Sequence, residues 1–178
     1  MSIQERKKIS LFELVTLSML GAFMFVSDIA MEALPNIHLV AMLIVLYTAL
    51  FRYKALISIY IYVMITGVFY GFALWWIAYL YIWLFPFFLA LLIPKRAPRW
   101  LKVIFYPVIT MLHGLLFGVL YAPAQALIYG LDFDGMLAWI AAGMVFDIIH
   151  AVGNFTLGLL VHPLEISIRK ILKRMNKA

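Results

Sequence analysis

Residues 93–102 read Ile-Pro-Lys-Arg-Ala-Pro-Arg-Trp-Leu-Lys, four cations and two prolines set between two long apolar runs. Upstream the chain is apolar over roughly 77–93, and downstream over roughly 103–127. Working outward, four more runs appear, at roughly 11–27, 38–51, 55–70 and 137–163. Three other breaks carry cations: Arg6, Lys7 and Lys8 before the first run, Arg52 and Lys54 between the second and third, and Arg169, Lys170, Lys173, Arg174 and Lys177 after the sixth. With the opening stretch these account for all 14 Lys and Arg residues. The alternate breaks hold only acids: Asp28, Glu32, Asp132 and Asp134. Loops rich in Lys and Arg stay on the cytoplasmic side during insertion. The pattern therefore predicts six transmembrane helices in an all-α bundle, with both termini cytoplasmic.

Composition agrees with a life in lipid. The 178 residues are 67% hydrophobic, with a mean hydropathy of +1.06, whereas soluble domains run about 45–50% apolar. A single integral membrane domain, 1–178, is expected by length. The formal charge of +6 belongs to the cytoplasmic loops and is matched by anionic headgroups of the bilayer, so no nucleic-acid partner is expected. The chain has no Cys and so no disulfide framework. The second run is short for a bilayer crossing of about 20 residues, so it is expected to borrow flanking residues, or to sit tilted and shielded by its neighbours. The closing stretch ISIRKILKRMNKA is amphipathic and basic, as in a helix lying at the inner surface.

Run six carries the densest chemistry. Trp139, Gly143, Asp147, His150 and Asn154 recur at steps of four and three and share one face within about 80°. Asp147 lies roughly 15 Å into the span at 1.5 Å per residue, where a carboxylate needs a partner or a wet cavity. His150 is one turn away, and His113 in run five reaches a similar depth. An Asp–His hydrogen bond joining the two spans, contact with a bound solute, and proton transfer are all compatible with this spacing. The same groups are candidates for an intramembrane enzyme or a proton-coupled secondary carrier. No HExxH motif, carboxylate cluster or nucleophile elbow accompanies them, and no phosphate-binding loop ends in GK[ST]. Neither a catalytic centre nor a metal site is expected, and any ATP hydrolysis belongs to another polypeptide.

The aromatic residues are lopsided. Of five Trp, four (Trp75, Trp76, Trp83 and Trp139) fall on the outer half. Trp76, Tyr79 and Trp83 lie within about 60° of one another on a helix. Tyr121 and Gln125 end run five. A membrane belt of aromatics would populate both interfaces, so this asymmetry favours an outward cavity lined by rings. The first outer loop, DIAMEALPNIHL over 28–39, offers Asn36 and His38 as a lid. Ser18 and Ala22, and Gly114 and Gly118, are small residues spaced by four, which let helices approach closely.

LPNIHL at 34–39, WWIAYLYIW at 75–83 and HGLLFGVLYAPAQA at 113–126, within six short spans, resemble a substrate-specific S component of an energy-coupling factor (ECF) vitamin transporter, most closely the cobalamin type. The resemblance extends over essentially the whole chain. It implies a high-affinity solute-binding subunit of the cell membrane with no enzyme activity or cofactor of its own. Its site would lie near the outer face, beneath the loops after spans one and three. Its partners would be a transmembrane coupling subunit and two cytoplasmic subunits that hydrolyse ATP. S components dock through an Ala-xxx-Ala pattern on span one; Ser18 and Ala22 occupy it here. The candidate solute contacts are Asn36, His38, Trp75, Trp76, Tyr79, Trp83, Tyr121, Gln125 and Trp139, with Asp147 and His150 at the floor.

Overall fold

The structure, a computed structural model, describes residues 9–175. Among them the chain is helical throughout, with no strand. Helix α1 spans Leu11–Ala30 and starts on a capping box, in which the Ser10 hydroxyl accepts from the Glu13 N–H and the Glu13 carboxylate accepts from the Ser10 N–H. Helix α2, Val40–Phe51, ends in a single 3-10 turn over Arg52–Lys54, and α3 follows at Ala55–Tyr70. Then come α4 (Trp76–Ile82), α5 (Leu84–Leu92), α6 (Arg99–Leu115), α7 (Phe117–Tyr129), α8 (Phe133–Gly158) and α9 (Val161–Met175).

Counted through their turns, four helical stretches are long and apolar enough to cross a membrane: Leu11–Ala30, Val40–Tyr70, Arg99–Tyr129 and Phe133–Arg174. Trp76–Leu92 is apolar but shorter. The run at 77–93 is thus two helices meeting at Trp83, and the run at 103–127 is α6 and α7 meeting at Leu116.

At the centre is α2. Every residue from Val40 to Leu50 is buried, as the short second run led us to expect of a shielded segment. A helix apolar on all sides is stable only when covered on all sides. Here α1, α3, α5, α6, α8 and α9 all touch it. The buried Thr48 hydroxyl donates to the Ile44 carbonyl at 2.7 Å, so it is satisfied within the helix.

Directions follow from the cross-helix bonds. Lys54 pairs with Glu13 at 2.6 Å, Ser58 donates to the Leu17 carbonyl at 2.7 Å and Tyr62 donates to Asp28 at 2.9 Å. These contacts rise in step, so α1 and α3 are parallel and the Arg52–Lys54 turn reverses the chain between α2 and α3. Helix α8 runs antiparallel to α6 and α7, since Asp147 meets Gly118 and Thr110 meets the Asn154 carbonyl. Gly114 makes this second seam possible: a Cβ there would sit 2.7 Å from the Ala151 nitrogen.

The cations gather at one end. Arg52 has φ +58° and ψ −131°, a positive-φ backbone that costs a non-glycine residue about 1–3 kcal/mol. Its guanidinium donates to the carbonyls of Ile93 (2.8 Å) and Leu91, closing the end of α5. Glu165, 1% exposed, is the hub of this end. It accepts from Lys102 at 2.9 Å, Arg169 at 2.9 Å and Tyr106 at 3.1 Å, and Arg169 also donates to the Ala49 carbonyl at 2.7 Å. Helix α9 is therefore held against α2 and α6, while its apolar Ile171 and Leu172, further along, are exposed. This matches the amphipathic pattern of the closing stretch up to Met175. Arg6, Lys7, Lys8 and Lys177, used above to orient the termini, lie outside the described residues.

Glu165→Ala leaves Lys102, whose side chain is 10% exposed, as an uncompensated buried charge. The expected loss is about 3–5 kcal/mol, read as a lowered melting temperature of the detergent-purified chain. Substituting the more exposed pair Lys54 and Glu13 should change it little.

Candidate functional site

The end of the bundle opposite the cations holds a cleft. Helix α1 ends at Ala30 and α2 begins at Val40, so residues 31–39 must cross the mouth. Asn36 takes φ +56° there, a conformation asparagine tolerates better than most residues. Beneath this crossing lies a cavity of about 240 Å³ walled by Asp28, Glu32, Asn36, His38 and Tyr79, with Phe117 and His150 deeper in. An adjoining cavity of about 430 Å³ is lined by Asp28, Thr66, Tyr70, Trp75 and Tyr79. Asp28 and Tyr79 line both, so the two cavities are neighbours across these side chains and together make up the cleft.

Behind its inner wall lies a buried histidine cluster. The rings of His38 and His150 are 4.7 Å apart, and those of His113 and His150 5.7 Å. Trp83 stacks on His113 at 5.1 Å and also meets Tyr62 and Tyr79. Their polar atoms stand out. His38 Nδ1, both nitrogens of His113, His150 Nε2, Trp83 Nε1 and both amide atoms of Asn154 are buried with no hydrogen-bond partner. A buried polar atom left so costs about 1–3 kcal/mol, and five side chains carry them here: His38 just before α2, Trp83 between α4 and α5, His113 on α6, and His150 and Asn154 on α8. No group of three or more His, Asp or Glu among the described residues is arranged to hold a metal ion.

Asp147 behaves differently. Its carboxylate accepts from the Gly118 N–H at 3.1 and 3.2 Å. Gly118 is in the first turn of α7, just after the break at Leu116. A carboxylate suits such a helix start, where N–H groups lack partners within the helix. A Cβ on Gly118 would collide with the Asp147 carboxylate. Asp147 thus ties α7 to α8, the spans expected to be joined, but through a backbone amide and not through His113 or His150.

The structure brings Asn36, His38, Trp75, Tyr79 and His150 together at the cleft and leaves the other expected contacts outside it. Trp76 donates from Nε1 to the Val63 carbonyl at 2.8 Å and packs between Phe72 and α3. Tyr121 donates to the Trp75 carbonyl at 3.2 Å and stacks on Trp139 at 5.8 Å. Gln125 is half-buried on α7 outside both cavities. Trp83 is 2% exposed, behind the wall. On α1 the tight approach uses Gly21, where a Cβ would meet the Ser58 carbonyl at 2.6 Å; Ser18 and Ala22 stay half-exposed to either side.

Asp28, Glu32, Phe117, Thr66 and Tyr70 were missed as cleft residues. A signal existed for the acids: Asp28 and Glu32 are spaced by four just before PNIH, and no cation occurs in 9–51 to pair with them. Comparison with protein-family models, with curated proteins and with solved structures gives no match, so the functional reading rests on the residues themselves.

Asp147→Leu removes the acceptor for the Gly118 amide and should cost about 1–3 kcal/mol, whereas Asp147→Asn keeps an oxygen acceptor and should cost less. Thermal melts in detergent check both. A larger loss for Asn than for Leu would mean that the carboxylate charge has a role beyond this bond.

Proposed function

We propose that this chain is a membrane-embedded solute-binding subunit that works as the S component of an ECF-type vitamin transporter. The observation that carries this reading is the cleft with its deep polar wall. His150 is 3% exposed, lines the cleft and has an unpartnered Nε2. Around it are rings and an Asn–His crossing segment, the mixture of apolar area and few convergent polar groups that suits a small organic molecule.

In this reading the chain makes six passes: α1, α2, α3, α4–α5, α6–α7 and α8. Helix α2 survives as a short pass because protein covers it. The cationic end faces the cytoplasm with both termini, and the cleft opens to the outside of the cell membrane. Uptake takes its energy from partners, a coupling membrane subunit and two ATPases, since the chain has no nucleotide-binding loop. The half-exposed Ser18–Ala22 face of α1 is where the coupling subunit would dock. Two cavities of about 240 and 430 Å³ favour a small vitamin over a corrinoid, whose macrocycle and nucleotide loop are far larger. The carrier alternative leans on Asp147, which is engaged with the Gly118 amide; the enzyme alternative would use Asp147 together with His150 and His113, and Asp147 bonds to neither.

Mass spectrometry of the purified full chain should identify one copurified small molecule, and adding it back should raise the melting temperature, because it binds the native state alone. Tyr79→Ala should weaken its binding about ten- to several-hundred-fold. Unchanged affinity in Tyr79→Ala would remove the cleft as its site. Reporter fusions after Lys177 and within 95–99 should both read cytoplasmic; an outside signal from either would refute the orientation. Ser18→Leu and Ala22→Leu should lower recovery of the coupling subunit and leave solute binding intact.

A further inference from the structure

The cleft carries a charge imbalance that narrows its solute. Asp28 lines both cavities and Glu32 lines one. The hydrogen bond recorded for Asp28 comes from Tyr62, a neutral donor, at 2.9 Å. None of the ion pairs among the described residues involves Asp28 or Glu32; those pairs lie at the other end of the bundle. No Lys or Arg occurs anywhere in 9–51, 55–94 or 103–168. Asp132 and Asp134 add to the negative field at this end, Asp132 accepting from the Gly135 N–H to cap α8. Asp28, half-buried and without a counter-ion, carries a desolvation cost. A cation entering the cleft offsets it. The rings of Tyr79 and Trp75, 5.1 Å apart and nearly perpendicular, offer faces that attract a cation. The second, independent feature is His150, nine-tenths buried and lining the cleft with an unpartnered Nε2.

We propose that the cleft selects a positively charged, planar heteroaromatic solute, with Asp28 and Glu32 matching its charge, Tyr79 and Trp75 its ring system, and His150 a polar group at its inner end. This rests on the reading of the cleft as the solute site. Anionic vitamins are disfavoured by the same field.

The test uses the full chain in nanodiscs and three probes of similar shape: N-methylquinolinium, neutral 4-methylquinoline and quinoline-4-carboxylate. Calorimetric titration, corrected against empty nanodiscs, should rank the cation at least about tenfold above the neutral probe, with the anion weakest. Asp28→Asn should weaken the cation about tenfold or more and leave the neutral probe within about twofold. Because Asp28 also holds Tyr62, Glu32→Gln serves as a second variant: Glu32 is exposed, and its loss should weaken the cation about threefold, an effect that fades at high salt. Tyr79→Ala should weaken the cation and the neutral probe alike. If the neutral or anionic probe equals the cation while Tyr79→Ala still weakens binding, the charge selection is wrong and the cleft stands. Cation binding indifferent to all three variants, or absent at millimolar concentration, overturns the proposal, and indifference to Tyr79→Ala takes the cleft reading with it.

Discussion

A twelve-residue helix that is apolar on every side cannot be left uncovered, and the rest of this fold is arranged around that constraint. Helix α2 has no polar stripe to show to water. Six other helices close around it. Coverage from the cationic end is fixed by charge: Arg169 reaches the Ala49 carbonyl while held by Glu165, and Arg52 reaches the end of α5. These bonds join segments far apart in sequence where the helices finish and backbone carbonyls have no partners within the helix. At the other end no ion pair among the described residues closes the bundle, and that is where the cleft lies.

Two ways of treating polar groups in an apolar interior sit a few turns apart on α8. Asp147 is provided for, with Gly118 exchanging an in-helix bond for its carboxylate and lacking the side chain that would block it. His150 and Asn154, three and seven residues on, have atoms without partners. A core selected only for stability would replace such groups with apolar ones of similar shape at little cost. That His150 shares the cluster with His38, His113 and Trp83 and lines a cleft is what turns an unfavourable arrangement into an indication of binding.

Much of this was legible in the sequence. The face of α8 that is buried, with Asp147, His150 and Asn154, follows from steps of four and three. The Asn36–His38 segment, read as a loop between two apolar runs, lies along a cavity. The shielding of α2 followed from its length. The partner of Asp147 was not legible, because a backbone amide leaves no mark in a sequence and the break at Leu116 carries no proline of its own. The roles of the rings were only half legible. Helical spacing put Trp76, Tyr79 and Trp83 on one side of a helix, but the neighbours that each ring meets differ: Trp76 packs on α3, Tyr79 lines the cleft and Trp83 goes behind it. Asp28 and Glu32 looked like ordinary solvated loop acids; their importance depends on the absence of any cation within reach, which is a property of the fold.

Arg52 illustrates how one residue can be a poor local choice and a good global one. Its positive φ of +58° is a conformation glycine would adopt freely, so replacing it with glycine would relax the turn between α2 and α3. The same replacement would strip two donors from the carbonyls of Leu91 and Ile93 and leave the last turn of α5 open beside Pro94. The turn is thus kept slightly strained so that a single side chain can latch together two helix ends about forty residues apart in sequence, and relaxation at one would be fraying at the other.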